Sequence, residues 1–153
     1  MDTKGARDLF LQTLTSIGCQ YEIDDDPDER IYFAYQGEKF VVYAKNEHEY
    51  IQIWDMRWGY VALDNMPEFE RLKVAINKSN EENSVTTVYS IDIDEKNALI
   101  HGKAIVLFIP QIPYIEDYLR RNLYEFFRAQ HYVMEVLVKL REQANPPLDE
   151  PVN

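Results

Sequence analysis

The spacing of apolar residues changes several times along the chain, and each change marks the end of a predicted element. Residues 2–17 place apolar side chains every three or four positions, which predicts a helix that ends at Gly18. The same spacing over residues 67–76 predicts a second helix, which the polar residues 77–84 end. Residues 114–142 predict a third and longer helix. Each of the three has a single apolar side that must be buried.

Between the helices, the chain takes on the alternating pattern and the β-branched and aromatic composition of strands. Three such segments follow the first helix and two follow the second. The turns between neighbouring segments are short, which favours antiparallel pairing. Residues 19–23 are a candidate short strand, and residues 58–63 are a candidate extension of the third strand beyond Gly59. The predicted strands are residues 30–35, 39–45, 50–56, 86–93 and 98–109.

The predicted order of elements is therefore α-β-β-β-α-β-β-α. We expect an α+β fold in which a five-stranded antiparallel sheet carries all three helices on one face, because each helix has one apolar side to bury. Residues 1–144 are predicted to form a single domain. Residues 145–153 contain three prolines and are predicted to be a flexible tail.

The net charge of the chain limits the classes of molecule that it can bind. The chain has 27 acidic and 16 basic residues among 153, which gives a net charge of −11. Such a surface repels phosphate groups, so we expect neither nucleic acid nor an anionic membrane as a partner. Basic protein surfaces are favoured instead.

The expected location is the reduced cytoplasm. Cys19 is the single cysteine of the sequence and has no internal partner for a disulfide. Residues 1–8 lack the apolar core of a signal peptide, and the longest apolar run, residues 104–109, is too short to span a bilayer.

The residues that carry chemistry form no recognisable catalytic or metal-binding motif. The three histidines lie on different predicted elements, without the spacing of metal ligands. Asp24, Asp26 and Asp28 match the first positions of a calcium-binding loop, but Glu29 and Tyr35 replace the glycine and glutamate that it needs. There is no glycine-rich phosphate loop and no nucleophile elbow. The sequence therefore predicts a protein that is not an enzyme and has no cofactor or metal site.

Aromatic residues are concentrated in the first three predicted strands. If helices cover one face of the sheet only, part of this set meets solvent or a partner, and Trp and Tyr are enriched where interfaces concentrate their binding energy. Aromatic residues are also favoured in strands for packing alone, so burial in the core is the alternative. The predicted partner-binding residues are Tyr32, Tyr43, Tyr50, Trp54 and Trp58.

The last helix has further apolar residues beside its main stripe. Either a second copy of the chain or a neighbouring helix of the same chain would cover this side. On the first reading the protein is a homodimer, and its predicted dimer-interface residues are Tyr118, Tyr132 and Val136.

The order of elements resembles that of YbjN-like proteins and type III secretion chaperones over about residues 2–142. The residues that carry the resemblance are the helix end at Ile17-Gly18, the acidic turn of residues 24–29 and the strand pair of residues 31–43, with Gly37-Glu38 at its turn. The resemblance implies an acidic cytoplasmic protein, usually a dimer, that holds a polypeptide segment on its sheet and helix surfaces without hydrolysing ATP. It implies no catalytic residues.

The sequence therefore predicts a non-enzymatic protein-binding module, namely a chaperone-like or regulatory adaptor that binds a polypeptide on its sheet and helix surface. The alternative is a small-molecule sensor or an enzyme of unknown class. Its pocket would lie between the sheet and the C-terminal helix.

Overall fold

The computed structural model describes residues 5–145 of the chain, and within this range it has three helices around one sheet. The predicted tail, residues 145–153, lies outside the described residues except for Asn145. The helices are α1 (Ala6–Ser16), α2 (Met66–Glu82) and α3 (Ile115–Ala144). The strands are β1 (Tyr21–Ile23), β2 (Ile31–Tyr35), β3 (Glu38–Tyr43), β4 (Tyr50–Asp55), β5 (Gly59–Ala62), β6 (Thr86–Asp92) and β7 (Asn97–Leu107). The predicted α+β class is confirmed.

All strand pairs are antiparallel, and the long strand β7 organises the sheet. On one side of β7, residues 103–107 pair with β4 and residues 97–100 pair with β5, so β5 continues the line of β4. On the other side β7 pairs with β6, while β3, β2 and β1 follow outward from β4. The sheet has seven strands rather than the five predicted, because residues 21–23 form a strand and the third predicted strand is interrupted.

The interruption between β4 and β5 is held by a side chain. The N–H of Trp58 donates to the carbonyl of Ile100 at 3.0 Å, and Gly59 also pairs with Ile100, so two residues of one strand lie opposite one residue of the other. This is the geometry of a β-bulge, which turns Trp58 to the core side of the sheet, the side of Ile100. Within the gap, the N–H of Gly102 donates to Oδ1 of Asp55 at 2.5 Å. A side-chain carboxylate thus replaces a missing main-chain acceptor.

The three helices cover one face of the sheet. The first half of α3 and α1 pack on β2, β3 and β4, and the second half of α3 and α2 pack on β5 and β7. Burial alternates along the strands, as a sheet with one covered face requires. The side chains with almost no exposed surface are Phe10, Phe40, Phe108, Phe126, Leu14, Ile31, Ile51, Ile53, Leu72, Leu119, Leu123 and Leu137.

Helix α2 is longer than its apolar pattern predicts. The prediction ended it at residue 76, but the helix continues to Glu82. Ser79 is fully buried, and the side chain of Asn80 bonds both main-chain groups of Thr87 on β6. Contact with a strand that follows in sequence therefore stabilises a polar helical turn that has little apolar surface of its own.

We expect Asn80→Ala to lower the free energy of unfolding by about 1 to 3 kcal/mol, because it leaves the buried Thr87 without partners for its N–H and C=O. The N–H of Thr87 lies 2.8 Å from Oδ1 of Asn80, and its carbonyl lies 3.1 Å from Nδ2. Urea unfolding measures the loss. Asn77→Ala, an exposed change one turn earlier, is the matched control. Equal stability of the two variants would contradict the prediction.

Candidate functional site

The face of the sheet opposite the helices carries a row of aromatic and apolar side chains. Tyr32, Val41, Trp54 and Lys103 are successive cross-strand neighbours on β2, β3, β4 and β7. They alternate with the buried residues of the same strands, so they point away from the helices. A second row contains Tyr43, Gln52 and Ile105, and a third contains Tyr50 and Leu107. We call this surface the open face.

Exposure is highest at one end of the open face. Tyr50 exposes 56% of its surface and Ile105 exposes 61%. Tyr32, Tyr43 and Trp54 are half-buried, because each lies between neighbours on adjacent strands. Large apolar side chains in contiguous, solvent-exposed positions are typical of an interaction surface.

Trp54 is held in place at the centre of the open face. Its Nε1–H donates to Oε1 of Gln52 at 2.6 Å, the ammonium of Lys103 lies 5.5 Å from its ring centroid, and the ring of His101 lies at its side. Burial lowers the pKa of His101 below its usual value, so this neighbour is neutral at physiological pH. The indole is therefore oriented in advance, with its one polar group already bonded.

The acidic turn before β2 is closed by an arginine. Arg30 donates from Nη2 to Oδ2 of Asp24 at 2.9 Å and from Nε to Oδ2 of Asp26 at 2.7 Å. The hydroxyl of Tyr32 donates to the same oxygen of Asp24 at 3.3 Å. The carboxylate of Asp24 thus orients Tyr32 at the edge of the open face. Among residues 5–145 there is no group of three His, Cys, Asp or Glu side chains that could hold a metal ion.

Comparison with known proteins shows the fold and no more. No protein-family model matches the sequence, and a search of curated proteins finds no match. Solved structures do match. An uncharacterised protein from Methanothermobacter thermautotrophicus has a TM-score of 0.56 at 10% identity, with 88% of this chain and 97% of that chain covered. YbjN from E. coli, a candidate transcription regulator, has a TM-score of 0.50 at 10% identity, with 90% and 91% covered.

The chain has a YbjN-like fold. The predicted resemblance to YbjN-like proteins is thereby confirmed at the level of the fold. In residues 5–145 of this YbjN-like chain, none of the helices combines the length and apolarity that crossing a membrane requires.

Four of the five predicted partner-binding residues share the open face of the YbjN-like sheet, and Trp58 does not. An uninterrupted strand would place residues 54 and 58 on the same side. The bulge at Trp58 and Gly59 reverses this relation, and Trp58 packs against the core cluster between β5 and α3. The structure therefore separates the two tryptophans, with Trp54 on the open face and Trp58 on the side of the helices.

The predicted dimer-interface residues have contacts within their own chain. The hydroxyl of Tyr118 donates to the carbonyl of Leu107 at 2.6 Å, and its ring lies against Phe108. Val136 packs on the cluster that α3 forms with α2 and β5. Tyr132 is half-buried in a shallow depression on α3. The homodimer stays a prediction.

Sequence reasoning missed Lys103 and Ile105 on the open face. Alternation along β7 predicts one apolar face with Ala98, Ile100, Ala104, Val106 and Phe108, which leaves Lys103 and Ile105 on the other face, as the structure has them. The sequence does not say which residues they lie beside. The register with β4 places Lys103 beside Trp54 and Ile105 beside Gln52.

Proposed function

We propose that this protein is a non-enzymatic module that binds a polypeptide partner on its open face. One observation carries the proposal: the helices cover one side of the sheet, and the other side presents Tyr50, Trp54 and Ile105 to solvent. Because removing apolar surface from water is favourable by about 25 cal/mol per Å², this face gains free energy from a partner that covers it.

The residues of the open face suit protein recognition. Trp and Tyr dominate binding hot spots because they bring large contact areas and a polar group. Trp54 is already oriented by Gln52 and Lys103, which lowers the entropy lost on binding. The open face is a broad surface and not a deep pocket, which favours a polypeptide over a small molecule.

The net charge of −11 favours a basic partner. The negative charge attracts basic proteins over a long range and so raises their rate of encounter. The same charge repels the phosphates of nucleic acid. The candidate regulator YbjN shares the fold, and a regulatory or chaperone-like adaptor that acts through protein contacts fits both the charge and the open face. We propose that the adaptor works in the cytoplasm as a homodimer, and the mass of the purified protein in solution tests that state.

We expect Trp54→Ala to weaken capture of the partner by about 30-fold, the effect of losing a central hot spot. The measurement is affinity capture from native lysate with the wild type as bait, followed by titration of the captured protein against each variant. Tyr124→Ala is the matched control, because Tyr124 is an exposed aromatic residue on α3, away from the open face.

Thermal unfolding accompanies each titration. If the Trp54→Ala variant stays folded and binds the partner as tightly as the wild type does, the open face is not the binding site. A wild-type protein that carries a tightly bound metabolite and captures no polypeptide would favour the small-molecule alternative instead.

A further inference from the structure

A second surface lies on the opposite side of the sheet, where Trp58 is placed. The outer edge of β5 and the C-terminal half of α3 enclose a groove of about 610 Å³, and we call it the β5–α3 groove. It is separate from the rows of the open face, since Trp58, Met134 and Leu137 lie on the side of the helices, while Tyr60 and Ala62 belong to the edge strand that borders it. Its wall residues include Trp58, Tyr60, Ala62, Met134, Leu137 and Arg141.

The groove contains unpaired main-chain groups of β5. The N–H of Leu63 donates to Lys96 beside β7 at 2.9 Å, and main-chain directions alternate along a strand. The N–H groups of Tyr60 and Ala62 and the carbonyl of Tyr60 therefore point away from β7. Within residues 5–145, β7 is the one strand that pairs with β5. A row of such groups is a template for an added strand.

The groove contains an ion pair, Arg141 with Glu68, at the end where α2 begins. Glu68 accepts from Nε of Arg141 at 2.7 Å and from Nε of Arg71 at 2.8 Å. Its hydrogen bonds with Arg141 hold the pKa of Glu68 below its usual value, so one carboxylate stands against two guanidinium groups. The guanidinium of Arg57 lies 6.0 Å from the ring of Tyr60. Exposed carboxylates also lie close in sequence at Asp64 and Glu142, and that of Glu70 pairs with Lys73 at 2.9 Å.

Arg141 has hydrogen-bonding capacity left. Its Nε and Nη2 both bond Glu68, and its Nη1 has no partner in the described part of the chain. A planar guanidinium with free donors, in a groove that also contains a tryptophan and aliphatic side chains, matches a carboxylate attached to an apolar segment.

We propose that the β5–α3 groove binds the C-terminal end of an extended peptide. The peptide adds a strand to β5 through Tyr60 and Ala62, and its terminal carboxylate bonds Arg141. Alternate side chains of the peptide lie against Trp58, Met134 and Leu137. Strand addition and capture of a terminal carboxylate are both established modes of peptide recognition, and the groove combines their two requirements.

This proposal does not rest on the open face, and one spectrum separates the two. The protein has two tryptophans, Trp54 on the open face and Trp58 in the groove, so its ¹H–¹⁵N spectrum has two indole signals. The probe is a pool of hexapeptides that alternate threonine with valine, leucine or phenylalanine and end in a free carboxylate. We expect the pool to shift the indole signal of Trp58 and to leave that of Trp54 in place.

The matched pool is identical but ends in a carboxamide. Because a charge-assisted hydrogen bond to Arg141 is lost, we expect the amidated pool to bind about tenfold more weakly. Equal affinity of the two pools, or no shift of the Trp58 signal at millimolar peptide, overturns the proposal. A shift confined to Trp54 overturns it too, while it supports the open face.

The variant Tyr60→Pro tests the main-chain contact, because proline removes the N–H that points into the groove and is tolerated at a sheet edge. We expect about tenfold weaker binding of the free-acid pool. The control is Tyr89→Pro, which removes an outward N–H on β6, the strand at the far edge. Arg141→Gln should abolish the difference between acid and amide pools. Binding by Tyr60→Pro that equals binding by Tyr89→Pro would show that the edge of β5 is not used.

Discussion

The wild-type protein should lose stability as the pH rises from about 4 to 7, and Asp55→Asn should remove most of that loss. Asp55 exposes 1% of its surface, and this burial raises the pKa of its carboxyl from 3.8 to about 7. Hydrogen bonds from Gly102 and from Gln130 oppose the rise, and the neighbouring charge of Glu38 adds to it. Asp55 is therefore held partly protonated at neutral pH, which is unusual for an aspartate.

The direction of the effect follows from proton binding. The unfolded carboxyl ionises near pH 3.8 and the folded one near pH 7, so the folded state holds its proton more tightly. The stabilisation is full below pH 3.8 and is lost as the pH rises through about 7. One pKa unit corresponds to 1.36 kcal/mol, so the rise from 3.8 to about 7 contributes about 4 kcal/mol to the free energy of unfolding at low pH. Neutral asparagine keeps an acceptor for the N–H of Gly102 and does not titrate.

Urea unfolding of both proteins between pH 4 and pH 8 measures the difference. We expect Asp55→Asn to be more stable than the wild type by about 4 kcal/mol at pH 8, and the two to converge near pH 4. His101 titrates in both proteins, so its contribution cancels in the difference. Asp94→Asn, in the exposed turn between β6 and β7, is the matched control. A constant difference across the pH range would refute the raised pKa of Asp55.

The role of Asp55 also shows where sequence reasoning ends. Alternation predicted the strand that contains Asp55, but not that its carboxylate would bond the N–H of Gly102, which lies 47 positions later. Nor did it single out Gly102, where a Cβ atom would lie 2.9 Å from Oδ2 of Asp55 and from a ring carbon of Phe126. Such contacts depend on which strands become neighbours, and that is decided by the packing of the whole chain.

The residues of the candidate site also differ in whether the sequence alone could place them. Tyr50 and Trp54 could be placed on one face from period-two spacing alone, and strand pairing across short turns adds Tyr32 and Tyr43. Trp58 could not be placed, because the four residues 55–58 stand opposite only two residues of β7, and the bulge turns Trp58 to the side of the helices. Local pattern therefore predicted the composition of the open face, and the β5–α3 groove required the three-dimensional arrangement.

Phe40→Ala should destabilise the protein by about 3 to 5 kcal/mol, the cost of truncating a fully buried phenylalanine. Phe40 has no exposed surface, and its ring is stacked on Phe33 at 5.3 Å and meets Phe126 edge-on at 5.2 Å. It therefore joins β2, β3 and α3 at one point. Removing the Phe40 ring leaves a cavity lined by side chains of three different elements. These side chains cannot fill the cavity unless the elements themselves move.

Two further variants separate cavity formation from the loss of an aromatic ring. Phe40→Leu keeps most of the volume, so its cost should fall below about 1.5 kcal/mol if packing dominates. Tyr124→Ala removes an exposed aromatic ring from α3 and should change stability by about 0.5 kcal/mol or less. Urea unfolding measures the free energy of unfolding of the three variants. If Phe40→Leu lowers the free energy of unfolding as much as Phe40→Ala does, this junction is stabilised by ring contacts with Phe33 and Phe126 and not by the volume of the side chain. If Phe40→Ala costs no more than Tyr124→Ala, the sheet and α3 do not share a packed core at this point, and the helices would not shield this face of the sheet as described.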